Sequence, residues 1–162
     1  TETVKQEVQK QTAQKPANNK IEEGGVFYIK SSKNPNFVID VSEASRQDGA
    51  KLLIYKSNKA NNQKFRITKT SENQYTIKSV HADKWIKSSG TKGAVLIQSN
   101  SVTNKSQITF TITEQTDGTY RIMDSKGFYF GISAGKIANG TSIILWTKAS
   151  DASQTFKLEK AK

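Results

Sequence analysis

Residues 61–67 read Asn61-Asn62-Gln63-Lys64-Phe65-Arg66-Ile67, a polar turn that delivers a glutamine just ahead of an aromatic-x-apolar pair. The same ending recurs as Gln107 ahead of Phe110 and Ile112, and as Gln154 ahead of Phe156 and Leu158. These closing Phe residues stand 45 and 46 residues apart. Further out, each copy opens on an aromatic-x-Ile pair, Phe27/Ile29, Tyr75/Ile77 and Tyr120/Ile122, at intervals of 48 and 45. Between opening and closing lies a Gly followed by a small residue and an apolar run. These are Gly49-Ala50 into Leu52-Leu53-Ile54-Tyr55, Gly93-Ala94 into Val95-Leu96-Ile97, and Gly140-Thr141 into Ile143-Ile144-Leu145-Trp146. Three landmarks in phase over three copies make an internal repeat, and a repeat governs the fold.

Within each copy the texture is that of strands and turns. Gln74-Tyr75-Thr76-Ile77-Lys78 and Thr109-Phe110-Thr111-Ile112-Thr113 alternate apolar and polar residues, and Thr116-Asp117-Gly118-Thr119 reads as a hairpin turn. No long helical pattern occurs, so the class is all-β. Three copies of about 45 residues, each with about four short strands, predict about twelve strands. Propellers need about four blades or more. Three units suit a β-trefoil, a six-stranded barrel capped by three hairpins, with repeats at about 26–69, 70–114 and 115–160. The aromatic-x-Ile and Phe-x-apolar positions then form the barrel core. Residues 1–25, rich in Lys, Gln, Glu, Thr and Asn, are expected to be a flexible tail or linker ahead of a 26–162 domain.

With 162 residues, 34% apolar and 24% charged, the chain is sized for one folded domain. It has no cysteine and one histidine, His81, which removes disulfide frameworks, thiolate chemistry and multi-histidine metal sites. No apolar run reaches the roughly 20 residues that span a bilayer, so membrane insertion is not expected. The net charge is +11, and because residues 1–25 hold four lysines and four glutamates, the excess belongs to the rest of the chain. Those bases are dispersed, no two adjacent. Such a charge raises an anionic polymer or surface as a partner.

The pattern Val38-Ile39-Asp40-Val41, Asp48-Gly49-Ala50, Ile54-Tyr55 and Asn61-Asn62-Gln63-Lys64-Phe65 resembles the ricin B-type lectin repeat, over residues 26–160. The resemblance implies that Asp40 accepts hydrogen bonds from adjacent sugar hydroxyls and Tyr55 stacks on the apolar face of a hexose. It implies that Asn62 donates to a hydroxyl, while Gln63 alongside is largely architectural. A sugar carries dense hydroxyls and one apolar face, so a fixed acceptor, a fixed donor and a flat platform are the groups to expect. Two residues before Tyr55, where sugar-binding copies often carry a polar side chain, stands Leu53. The second repeat puts Lys87 at the Asp position and, after a deletion, Gln98 near the aromatic one. The third keeps Trp146, a secondary platform, but has Gly131 for Asp and Ser153 ahead of its Gln.

The leading expectation is a secreted carbohydrate-binding module for galactose or N-acetylgalactosamine-type glycans, without catalysis, metal or cofactor, attaching itself or a fused effector domain to a cell surface, mucin or polysaccharide. The alternative is a basic trefoil interaction protein binding an anionic polymer, such as a glycosaminoglycan or teichoic acid, or a protein partner. Its basic rim would be Lys51, Lys56, Lys59 and Lys64, with nucleic acid not an expected partner.

Overall fold

A computed structural model describes residues 21–162. It contains twelve strands: β1 Gly25–Ser31, β2 Phe37–Val41, β3 Leu52–Lys56, β4 Phe65–Ser71, β5 Gln74–Ser79, β6 Lys84–Lys87, β7 Ile97–Ser99, β8 Phe110–Glu114, β9 Tyr120–Met123, β10 Tyr129–Ile132, β11 Ile143–Trp146 and β12 Phe156–Lys160. Among the described residues the helical segments are three-residue 3-10 turns.

Six strands close a barrel, all antiparallel: β1 pairs β4, β4 pairs β5, β5 pairs β8, β8 pairs β9, β9 pairs β12 and β12 returns to β1. The other six form hairpins β2–β3, β6–β7 and β10–β11. Single bridges join these hairpins cyclically, Leu53 to Ser142, Ile144 to Val95 and Ile97 to Lys51. The result is the expected β-trefoil.

The repeated landmarks explain it residue by residue. Phe65, Phe110 and Phe156, one from each copy, are all fully buried, and Phe27, Tyr75 and Tyr120 are at most 2% exposed. Ile29, Ile77 and Ile122 complete a core built from equivalent side chains, with Phe110 meeting Phe130 edge-to-face at 5.1 Å. The recurrent glycine has its own reason. Gly49, Gly93 and Gly140 hold φ of 91°, 86° and 92°, a region that L side chains rarely enter. Each then donates its N–H to the next hairpin: Gly49 to Gln98 O, Gly93 to Leu145 O and Gly140 to Ile54 O, at 2.7–2.8 Å.

The tail expected over residues 1–25 lies outside the described residues as far as residue 20. Its last five residues belong to the domain instead. Ile21–Glu23 form a 3-10 turn, Ile21 is buried in the core cluster, and Gly25 opens β1. A single apolar side chain in a polar stretch carries little sequence signal, yet here it seals the core beside β4. Burial, with Glu114, Tyr75 and Glu22 nearby, pushes the Tyr120 phenol up to about 12.

Candidate functional site

In the first hairpin Asp40 stands directly opposite Leu53, and Val38 opposite Tyr55. Strand alternation turns Ile39 and Ile54 into the core, both fully buried, and places Asp40, Leu53 and Tyr55 together on the opposite face. Tyr55, diagonal to Asp40, is 42% exposed, whereas Asp40 is only 4% exposed. The carboxylate is held by the neighbouring turn Asn61–Gln63. Gln63 Nε2 donates to Asp40 Oδ2 at 2.9 Å and to Lys56 O at 3.1 Å, and its Oε1 accepts from Asn58 N at 2.9 Å. Asn62 Nδ2 donates to Asp40 Oδ1 at 3.1 Å and to Val41 O at 3.2 Å.

This geometry assigns the parts. Gln63, fully buried, clamps the turn to both strands of the hairpin. Both amide protons of Asn62 are spent on Asp40 and Val41, so Asn62 acts by holding the acceptor and is not a free donor as the resemblance implied. Each Asp40 oxygen accepts one of these bonds and retains acceptor capacity for another donor. Burial pushes the Asp40 carboxyl above its ordinary value, opposed by the Gln63 and Asn62 hydrogen bonds and by the nearby His81.

The second repeat is built differently. Lys87 stands at the Asp40 position opposite Ile97, which makes Ser99, paired with Trp85, the counterpart of Tyr55. Gln98 is next to the platform position along β7 but on the other face of the strand. It points inward, fully buried, and its Nε2 donates to Ser45 O and Gln47 O. Lys87 is tied to Ser101 O at 2.8 Å. Lys84 and His81 of the second repeat are clasped onto the first. Lys84 pairs with Asp48 at 2.6 Å, and His81 Nε2 lies 2.7 Å from Ser45 O.

In the third repeat Gly131 faces Ile144 and Trp146 faces Tyr129, the register of the first hairpin. Gln154 repeats the Gln63 clamp, donating to Thr147 O at 2.7 Å and accepting from Ala149 N at 2.8 Å. It also accepts from Arg121 Nη1 at 3.1 Å. Where Asp40 would stand there is a hollow of about 530 Å³, walled by Gly131, Trp146, Ser153, Asp151 and by Lys33 from the first repeat. Trp146 is 44% exposed, with Lys92 Nζ 4.5 Å from its ring centre. Lys33 and Lys92 carried no sequence signal, since they reach Trp146 and its hollow from other repeats.

An acceptor, a flat ring and a threefold all-β scaffold define a lectin-type domain. The model of the ricin-type β-trefoil lectin domain-like family matches residues 9–98 and 61–146, and the chain belongs to that lectin family. No curated protein matches it in sequence. Among solved structures it is similar to the designed threefold-symmetric protein ThreeFoil, at TM-score 0.80 and 20% identity over 85% of this chain and 99% of that one. It is similar to a mosquitocidal holotoxin at TM-score 0.79 and 20% identity, covering 86% of this chain but 17% of the toxin. The Macrolepiota procera ricin B-like lectin, solved with lactose, matches at TM-score 0.71 and 18% identity over 91% and 99% of the two chains.

Proposed function

We propose that the chain is a secreted carbohydrate-binding module whose first repeat grips a galactose-type hexose, attaching itself or a fused partner to glycans on a cell surface, mucin or polysaccharide. One observation carries this reading. The two large apolar side chains left exposed among the described residues, Tyr55 and Trp146, occupy the same position in their repeats, and beside Tyr55 stands a carboxylate held in place from two sides. An exposed ring at the same place in two repeats supplies the flat apolar platform that a hexose needs. The Tyr55 ring covers the apolar face of the sugar while Asp40 accepts from adjacent hydroxyls. The lactose complex of the Macrolepiota procera lectin is consistent with a galactose-type ligand. One shallow site binds weakly, so firm attachment needs several copies or a partner.

A glycan array read at about 50 and 200 mM salt tests this, with the native chain and Tyr55→Ala. Salt-independent binding to galactose-terminated glycans is expected, falling about tenfold in Tyr55→Ala, the loss of roughly 1.4 kcal/mol of stacking. Because Tyr55 is exposed, thermal stability should stay within about 0.5 kcal/mol of native. Equal galactose binding by Tyr55→Ala would move the site elsewhere.

The third repeat offers a gain-of-function test. A Cβ at Gly131 would lie 3.4 Å from Gln154 Cγ, ordinary contact, so Gly131→Asp fits beside the Trp146 platform with its acceptor in the Asp40 position. Calorimetric titration is expected to show one more sugar equivalent per chain than the native protein; unchanged stoichiometry would mean that Ser153 and Lys33 do not complete a site.

A further inference from the structure

A hollow of about 970 Å³ lies where β1 meets β12, with Lys59 and Lys64 on its wall. Six lysines line it: Lys30, Lys59, Lys64, Lys157, Lys160 and Lys162. Two carboxylates oppose them. Glu159 pairs with Lys30 at 3.2 Å, and Asp117 accepts from Thr119 N and Oγ1 within its own turn.

The fold itself does not call for these lysines. Lys30 sits directly opposite Lys157 in the β1–β12 ladder, and like charges placed so destabilise a sheet. Pseudo-symmetry supplies the control. In the equivalent β9–β8 ladder the same pair is Met123 and Thr111, and Glu114 stands at the Lys160 position. In the β5–β4 ladder the pair is again two cations, Lys78 and Arg66, with Lys78 held by Asp83 at 3.3 Å as Lys30 is by Glu159; the difference there is that Lys78 also lies over Trp85 and that Lys69, at the Lys160 position, is held by Glu72.

We infer that this groove binds an anionic polysaccharide, sulfated or carboxylated, at a site separate from Asp40 and Tyr55. Dispersed sulfates or carboxylates along a sugar chain match dispersed ammonium groups, each a point charge on a flexible stem. The one aromatic ring lining the groove, Tyr28, is 7% exposed, so the stacking platforms by which proteins hold single-stranded nucleic acid are missing. The expected rim of Lys51, Lys56, Lys59 and Lys64 is thereby regrouped. Only Lys59 and Lys64 of that rim line the groove, and their companions come from β1, β12 and the residues just after β12.

The test is titration with a heparin-derived sulfated octasaccharide and with a thymidine oligonucleotide of equal charge. It uses the native chain, the groove variant Lys64→Gln/Lys157→Gln/Lys160→Gln, and the control Lys105→Gln/Lys126→Gln/Lys136→Gln, which removes exposed charges elsewhere. Native affinity for the octasaccharide should fall about tenfold or more between roughly 50 and 200 mM salt. At the lower salt the groove variant should lose about tenfold and show a flatter salt dependence, the control staying within about twofold. Asp40→Ala should bind the octasaccharide as the native chain does, whatever its galactose binding. Equal losses in groove and control variants, loss of octasaccharide binding in Asp40→Ala, native-level binding of the oligonucleotide, or no octasaccharide binding would each overturn the inference.

Discussion

Asp40→Ala is expected to lower affinity for a galactose-type sugar by about a hundredfold or more while leaving the chain folded. A carboxylate accepting from two adjacent hydroxyls contributes roughly 1.5–3 kcal/mol per hydrogen bond, and about 1.4 kcal/mol is a factor of ten. The fold survives because the groups that hold the carboxylate each keep a second acceptor, Val41 O for Asn62 and Lys56 O for Gln63. The same side chain sets a pH dependence with a definite sign. Burial raises the Asp40 carboxyl, so it takes up its proton above the ordinary aspartate value near 3.9 and ceases to accept from hydroxyls there. For stability the sign is opposite. A carboxyl raised in the fold contributes stability below its unfolded value and loses it as pH rises through the folded one, so protonating Asp40 does not loosen the protein. Asp48, Asp117 and Asp151 are lowered by hydrogen bonds, and what they contribute is lost only as pH falls through values below the ordinary one. Sugar binding should therefore fade on acidification before unfolding begins. Affinity and far-ultraviolet dichroism measured side by side check this, and a coincident loss of both would contradict it.

Gln63→Ala should destabilise the domain by about 3–4 kcal/mol, lowering the melting temperature by roughly 10 °C. The side chain is fully buried and satisfies Asp40 Oδ2, Lys56 O and Asn58 N at once. Its removal leaves a buried carboxylate on Asn62 alone, strands a backbone N–H and opens a void. Gln154→Ala should cost a similar amount, since that side chain serves Thr147 O, Ala149 N and the buried Arg121. Gln107→Ala should cost only about 1 kcal/mol, because its contacts to Thr103 and Asn104 lie at the surface, where water replaces them. Urea unfolding of the three variants ranks them, and an equal cost at Gln107 would show that the clamp does not depend on burial.

Some of this architecture was legible in the residue order. Phe65, Phe110 and Phe156 keep step because each fills an equivalent place in one core, and Gly49, Gly93 and Gly140 recur because each must hold a positive φ. Patterning of this kind is dictated by burial and backbone sterics, which act locally and leave their mark on spacing. Asp40 and Tyr55 were legible for the same reason, two strand residues of matching parity on one hairpin. The register of the second repeat was not. Its connection between paired strands is three residues shorter than in the other two, and only the cross-strand pairing shows that Ser99, not Gln98, stands opposite Trp85.

What the sequence by itself determined is the threefold all-β framework and the one hairpin that unites a carboxylate with an exposed ring. Tertiary structure alone decided how the polar groups are spent. Asn62 could have offered its amide outward, but the turn aims both protons at Asp40 and Val41. Lys30 and Lys157 come together because the first strand of the domain pairs with the last, closing the barrel. Burial leaves a periodic trace along the chain, whereas the direction of a hydrogen bond and the meeting of distant charges depend on how the strands close in space.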